Sequence, residues 1–324
     1  MGVRTLRDVT VEAMGLSKRY GEHTAVANVS FTAHPGEIVG LLGRNGAGKT
    51  TTVRLLTTVL APTSGDFRVA GMPSSRAREI RQRVGVLPES AGFPGQQTGF
   101  EYLRYFGRLY GSSAADAAHT AERLLTEVGL TERAGAAIST YSRGMRQRLG
   151  IARALVNDPV VVFLDEPTLG LDPAGQRQVL RLVRDIAEHR GATVVLSTHT
   201  LPEVEEVCTS VLLLDEGTVL HAGPVSELLR MAAPPRSGQL RVPVSLATRA
   251  AEALARVDGL TVTASDERPD LLRVSLDGES RRRDDGLNGA LAALVAAEVP
   301  VLSFELEGGR LGDVFLALTG RSDE

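Results

Sequence analysis

Gly43-Arg44-Asn45-Gly46-Ala47-Gly48-Lys49-Thr50-Thr51 stands between the apolar run Ile38-Val39-Gly40-Leu41-Leu42 and the helix-forming stretch Thr51-Thr52-Val53-Arg54-Leu55-Leu56. Gly43, Gly48, Lys49 and Thr50 meet the pattern G-x-x-x-x-G-K-[ST], and the strand–loop–helix context turns that match into an expected phosphate site. The glycines let backbone N–H groups crowd around β- and γ-phosphates with no Cβ in the way. The following helix N-terminus adds its partial positive charge. Lys49 supplies a point charge, and the Thr50 hydroxyl suits ligation of Mg²⁺. The stretch predicts a bound nucleoside triphosphate, with Asn45, Gly46, Ala47 and Thr51 completing the cradle.

Working outward, short β-type runs alternate with helical patterns, as in an α/β fold with a largely parallel sheet. Val9 to Met14 and Val26 to Phe31 read as early strands. Between Glu89 and Thr140 the character turns helical: Phe100 to Tyr110 and Ala114 to Val128 carry apolar residues at helical spacing. The run Val160-Val161-Val162-Phe163-Leu164 then reads as a strand buried on both faces. Asp172-Pro173 predicts a helix start, with Asp as N-cap and Pro in the first turn. Gly191 predicts its end, and Thr193 to Leu196 a further buried strand.

The residues that follow these strands carry the expected chemistry. Asp165 and Glu166 end one strand, where the first can hold a metal and the second can polarise an attacking water. His199, in Ser197-Thr198-His199, should face the same crevice, where open α/β sheets place ligands. Ser142 reads as the N-cap of a helix running through Leu155, and Gly144 leaves its N–H groups accessible to an anion. Because the first loop already cradles one nucleotide, this second cradle is expected to serve the nucleotide of another subunit. Tyr20 lies upstream, where an aromatic can stack on a base; taken alone it reads more often as a packing residue.

Composition bounds the class. With 324 residues, 43% of them hydrophobic, the chain can build a substantial core and is no disordered segment. A formal net charge of −3 gives no reason to expect a nucleic-acid surface. The single cysteine, Cys208, excludes an internal disulfide framework and suits a reducing cytoplasm. Met1 to Thr10 lacks the apolar core of a signal peptide, and no apolar run approaches the ~20 residues a membrane helix needs. A membrane role would therefore come through a partner.

Met231 to Gly238 (Met-Ala-Ala-Pro-Pro-Arg-Ser-Gly) reads as a linker. Beyond it, Leu240 to Val244, Leu260 to Ala264, Leu271 to Leu276 and Pro300 to Leu306 are expected strands. Ala247 to Val257, Leu287 to Glu298 and Leu311 to Leu318 are expected helices. Together they predict a small α+β domain. The charge run Arg281-Arg282-Arg283-Asp284-Asp285 reads as a solvated turn.

Taken in order, these motifs resemble the nucleotide-binding subunit of an ABC transporter, over about residues 10–230. Tyr20 matches the adenine-stacking position, Gly43 to Thr51 the Walker A loop, and Glu89 the Q-loop. Tyr141 to Met145 fall on the signature loop. Asp165 and Glu166 match Walker B and the catalytic glutamate, Gly170-Leu171-Asp172 the D-loop, and His199 the switch histidine. Two departures stand out. The signature LSGGQ reads Tyr141-Ser142-Arg143-Gly144-Met145, and the Q-loop glutamine is Glu89, which can accept from water or approach Mg²⁺ but cannot donate.

The resemblance implies a P-loop ABC ATPase domain over residues 1–230, with a helical subdomain over about 89–155, a linker at 231–238 and an α+β accessory domain at 239–324. It implies ATP and Mg²⁺ as cofactors, with Thr50, Asp165 and Glu89 toward the metal and Glu166, His199 and Lys49 in catalysis. Ser142, Gly144 and Asp172 would meet the ATP of a second copy. It implies a transmembrane permease as partner, residence on the cytoplasmic face of the membrane, and no nucleic acid. The tail, Leu311-Gly-Asp-Val-Phe-Leu-Ala-Leu-Thr-Gly320, resembles the ending of drug-resistance-type members and points to efflux of hydrophobic compounds. An ion, lipid or polysaccharide cargo stays open as an alternative. So does a non-transport ABC ATPase acting on nucleic acid or ribosomes, although a single cassette, a short insert and the lack of a basic stripe favour transport.

Overall fold

A computed structural model describes residues 9–231, 237–264, 268–276, 283–307 and 311–319. The chain divides into two compact units, Met1–Glu227 and Leu228–Glu324.

The first unit is built on a six-stranded sheet whose parallel members are continuous apolar runs. The strands are β1 (Val11–Tyr20), β2 (His23–Ala33), β3 (Ile38–Leu42), β4 (Ser64–Val69), β5 (Met72–Pro73), β6 (Val84–Leu87), β7 (Val161–Asp165), β8 (Thr193–Thr198), β9 (Ser210–Asp215) and β10 (Thr218–Pro224). The helices are α1 (Lys49–Leu56), α2 (Ala77–Arg83), α3 (Gly99–Leu109), α4 (Ala114–Glu127), α5 (Arg143–Ala154), α6 (Pro173–Arg190) and α7 (Leu201–Val207), with α8 (Val225–Met231) crossing into the second unit. The main sheet runs β10-β9-β3-β8-β7-β6. Its members are parallel except β10, which pairs antiparallel with β9.

Every residue of β3, β7 and β8 is buried, as expected for strands covered on both faces. Alternation decides which layer each side chain joins. Val161 and Phe163 of β7 pack with Val39, Leu41, Val195 and the α1 residues Val53, Leu55 and Leu56. Val162 and Leu164 face the opposite way, into a core with Leu149 and Ile151 of α5 and Val179, Leu180 and Val183 of α6. Leu103 of α3 and Leu124 of α4 extend this second layer, so the helical stretch after Glu89 is anchored to the same sheet.

A second, antiparallel sheet, β2-β1-β4-β5, covers the α1 side. Its strands outrun the sequence expectation: β1 continues from Met14 to Tyr20, and β2 starts at His23. The reason lies in register shifts between Ala13 and Leu16 and between Leu16 and Lys18. Each bulge slips the alternation of side chains by a residue, so a period-two pattern read from sequence stops at the first one.

The second unit has β11 (Ser237–Arg241), α9 (Ala247–Leu254), β12 (Leu260–Ala264), β13 (Leu271–Leu276), α10 (Arg283–Ala296), β14 (Ser303–Glu307) and α11 (Leu311–Thr319). Its strand order, β12-β13-β11-β14, is all antiparallel. With the β-α-β-β-α-β sequence this is a ferredoxin-like split β-α-β unit. Leu240, Val242, Leu254, Leu272, Val274 and Leu294 form its core. Two expectations are corrected. Ser237 and Gly238 already pair in β11 rather than in a linker, because their backbone groups complete the ladder to β13 and β14. Arg283 to Asp285 open α10 instead of forming a turn, because the helix extends N-terminally from the apolar stretch that follows; Arg281 and Arg282 lie outside the described residues.

Phe163 fills the centre of the first unit with no exposure, whereas Val59 is 67% exposed. Phe163→Ala should therefore lower stability in urea unfolding by about 3–5 kcal/mol. Val59→Ala should stay within about 0.5 kcal/mol.

Candidate functional site

The parallel strands β3, β7 and β8 end side by side, with Leu42 opposite Thr198 and Asp165 opposite Ser197. The loop after β3, the Asp165-Glu166 pair and His199 thus leave the sheet at one edge. Between them opens a cleft of about 570 Å³ that Tyr20, Gly46, Lys49, Thr50, Glu89, Glu166 and His199 help to line, with Arg44, Asn45, Gly48 and Thr51.

The loop conformation is dictated by close packing. A Cβ on Gly43 would stand 2.3 Å from the Leu214 carbonyl oxygen, and one on Gly48 2.5 Å from that of Ala25. Gly48 also holds φ at 99°, in the left-handed region that side chains disfavour. Ala47 is buried at the base of the loop, while Arg44, Asn45 and Gly46 are exposed at its tip. Gly43 contributes its carbonyl, 2.6 Å from Lys49 Nζ, rather than a cleft-lining surface.

Lys49 is only 6% exposed and Glu166 only 8%. The ammonium donates to the carbonyls of Gly43 and Arg44, the latter at 3.2 Å, and lies 3.3 Å from Glu166 Oε1. Glu166 Oε2 sits 2.9 Å from His199 Nδ1. Burying either charge unpaired would cost several kcal/mol, so the pair and its hydrogen bonds hold each other in place. Glu166 itself adopts φ 48°. Its N–H donates to Ser197 Oγ at 3.0 Å and to the Ser197 carbonyl at 3.2 Å, which pins this strained residue.

Asp165, 3% exposed, lies behind them. Its Oδ1 accepts from Thr50 Oγ1 at 3.2 Å and from the Ser197 hydroxyl. A hydroxyl and a carboxylate side by side are hard oxygen donors of the kind Mg²⁺ takes, and Mg²⁺ usually completes its shell with water and substrate phosphates. The Thr50 hydroxyl and Asp165 carboxylate, 3.2 Å apart, fit a metal that brings its remaining ligands with a nucleotide. Tyr20 is 47% exposed at the rim, with Lys18 Nζ 5.4 Å from its ring centre.

Ser142, Gly144 and Asp172 are not brought to this cleft. They gather, with Arg143, Met145, Gly170, Leu171 and Gly175, around a separate depression of about 440 Å³. Ser142 caps α5, accepting from the Met145 N–H at 3.2 Å. Asp172 caps α6, accepting from the Gly175 N–H at 2.9 Å. Tyr141 is core: its hydroxyl donates to the Arg133 carbonyl at 2.6 Å, and burial pushes the phenol up. Cys208 likewise is structural, since burial pushes its thiol up to about 12, far from the thiolate that reactivity needs. Ser197, which clamps Asp165 and Glu166, escaped the sequence reading because serine at a strand end has no distinctive spacing.

A family model described as ABC transporter matches residues 26–169. The daunorubicin/doxorubicin resistance ATP-binding protein DrrA of Streptomyces peucetius is 38% identical, over 96% of this chain and 92% of its own. The linearmycin resistance ATP-binding protein LnrL of Bacillus subtilis is 32% identical, over 96% of this chain and 99% of its own. A solved ATP-binding subunit of an ABC transporter superposes with a TM-score of 0.61 at 31% identity, covering 68% of this chain and 92% of that one.

Two loop glycines separate strain from clash. Gly46 holds φ 86° with nothing near its missing Cβ, whereas Gly48 combines φ 99° with the Ala25 contact. Gly46→Ala should cost about 1–3 kcal/mol of backbone strain. Gly48→Ala should lower the melting temperature and weaken ATP binding more than that, read by thermal unfolding and nucleotide titration on both variants.

Proposed function

The chain belongs to the ABC transporter family as an ATP-binding, ATP-hydrolysing subunit, and from that premise we propose that it energises efflux of a drug, antibiotic or similar hydrophobic compound through a separate permease. Two resistance proteins aligned along nearly its whole length, second unit included, support this cargo class. No helix among the described residues is long and apolar enough to cross a membrane; membership of the ABC transporter family supports a peripheral place at the cytoplasmic face.

The observation that carries the mechanism is the contact chain Lys49–Glu166–His199, with Glu166 Oε1 at 3.3 Å from the ammonium and Oε2 at 2.9 Å from the imidazole. When ATP enters, the loop N–H groups and the α1 N-terminus take the phosphates. Lys49 exchanges its loop carbonyls and Glu166 for phosphate oxygens. Glu166 is then free to accept a proton from a water in line with the γ-phosphate, and His199 holds that carboxylate in orientation. Thr50 and Asp165 would hold Mg²⁺, which supplies neutralisation of phosphate charge when bound. Tyr20 offers its exposed ring to the base. Glu89, at the entry to the helical stretch, reports the state of the site to the permease.

Ser142, Gly144 and Asp172 lie in a depression apart from the first cleft, so they would complete the site of a second copy placed head to tail. Closure of two such sites excludes bulk water, and loss of the γ-phosphate releases it.

Glu166→Gln should slow steady-state hydrolysis by about 10²–10⁴-fold. With ATP and Mg²⁺ it should elute as a dimer on size exclusion, while without nucleotide it elutes as the wild type does. Wild-type turnover by this variant would contradict the role given to Glu166.

A further inference from the structure

A buried carboxylate outside the contacts described so far lies one layer behind His199. Glu203, in α7, is 5% exposed. Its Oε1 accepts from Thr168 Oγ1 at 2.6 Å and its Oε2 from Thr198 Oγ1 at 2.8 Å. Both threonines are buried, at 2% and 0% exposure. The Thr198 hydroxyl accepts in turn from the Thr200 N–H at 3.0 Å. One carboxylate therefore spans two segments far apart in sequence: the loop that leaves Glu166 and the turn that carries His199.

The local sequence would assign Glu203 a humbler part. Thr200-Leu201-Pro202-Glu203 has the S/T-x-x-E spacing of a capping box. Yet Thr200 makes no side-chain cap, and the carboxylate is turned into the fold. Glu203 has no ion-pair partner among the described residues; two hydroxyls and the positive end of α7 are what offset its burial. A polar group held this deep costs more than an apolar side chain of the same size, and both of its oxygens are used to join two distant segments.

Its position says what it does. Ser197 already ties the ends of β7 and β8 together at Asp165 and Glu166. Glu203 makes a second tie just beyond, on the far side of the Glu166–His199 contact. Glu166 sits at φ 48°, a conformation that relaxes unless its surroundings fix it.

We propose that Glu203 is a positioning residue for hydrolysis, which locks the Glu166 loop to the His199 turn at the spacing where imidazole and carboxylate meet. This rests on the roles proposed above for Glu166 and His199. It predicts a loss in turnover with nucleotide binding left intact, because Glu203 touches neither the phosphate loop nor the cleft.

The test is steady-state ATP hydrolysis by the full chain with Mg²⁺, beside the Kd of a fluorescent ATP analogue. The variants are Glu203→Ala, Glu203→Gln, His199→Ala and the double variant His199→Ala/Glu203→Ala. Glu203→Ala should lower kcat about 10- to 100-fold, the size of effect that misplacing a catalytic group produces, with Kd within about twofold. Glu203→Gln keeps the shape and one acceptor oxygen, so it should lose only about three- to tenfold, and it carries the same comparison where the alanine variant does not fold. The double variant should turn over no more slowly than His199→Ala, because both changes break the same contact. Losses that multiply in the double variant, or a Kd that rises in step with the fall in kcat, overturn this inference alone. A His199→Ala protein with wild-type kcat overturns the proposed role of His199, and the inference with it.

Discussion

The Lys49 ammonium is the point on which the site is hung. It is almost fully buried at the start of α1, and a lone charge there would be expelled or neutralised. Two loop carbonyls and the Glu166 carboxylate keep it in place. That demand shapes its neighbours. The loop must fold back so that the Gly43 and Arg44 carbonyls face the lysine, which leaves no room for a Cβ at Gly43 or Gly48. Glu166 must leave β7 in the left-handed region to aim its carboxylate at the same ammonium, and Ser197 and Glu203 then fix the loop on either side. A ligand that takes over the lysine, as a γ-phosphate is proposed to, would free Glu166 Oε1 and the loop carbonyls from it while Ser197, His199 and Glu203 keep the Glu166 loop in place. On the proposed mechanism, phosphate binding is thereby coupled to the freeing of a carboxylate.

The second depression is bound to the first through the same loop. From Glu166 the chain runs through Thr168, held by Glu203, to Gly170 and the α6 cap at Asp172. At Gly170 it meets the insert: the Arg143 guanidinium lies where a Cβ of Gly170 would be, 2.5 Å from that position. Arg143, at the position that resembles the first signature glycine, thus lays its guanidinium close against the loop after Glu166. In the proposed head-to-tail pairing, a subunit facing this depression would meet both loops, one of which leads back to Glu166.

Sequence reasoning reached the parts of this arrangement that are local. The buried runs of β3, β7 and β8, the phosphate loop, and the caps at Ser142, Asp172 and Gly191 each rest on contacts within a few residues or on a two-sided apolar pattern. The antiparallel sheet was legible only in fragments, because the bulges around Gly15 break the alternation that marks a strand. The start of α10 was hidden in a charged run, and the start of β11 in a Pro-rich one, where composition and pairing point in opposite directions. Ser197 and Glu203 were beyond reach for another reason. Each acts across more than thirty residues of sequence, Ser197 on Glu166 and Glu203 on Thr168. A serine or a glutamate carries no sign of which distant hydroxyl or amide it will meet.

The claim that each ATP is shared by two copies is open to direct test by mixing two inactive proteins. Lys49→Ala disables the phosphate loop and leaves the Ser142–Gly144 face intact. Gly144→Asp places an acid in the second cradle, where a side chain has room, and leaves Lys49 intact. If sites form head to tail, a mixed dimer contains one site built only from unaltered parts. Mixing equal amounts should then restore ATP hydrolysis to roughly a quarter of the wild-type rate, from half the dimers being mixed and one of two sites working in each. A mixture as inactive as its parents, under conditions where the wild type dimerises, would contradict the shared site.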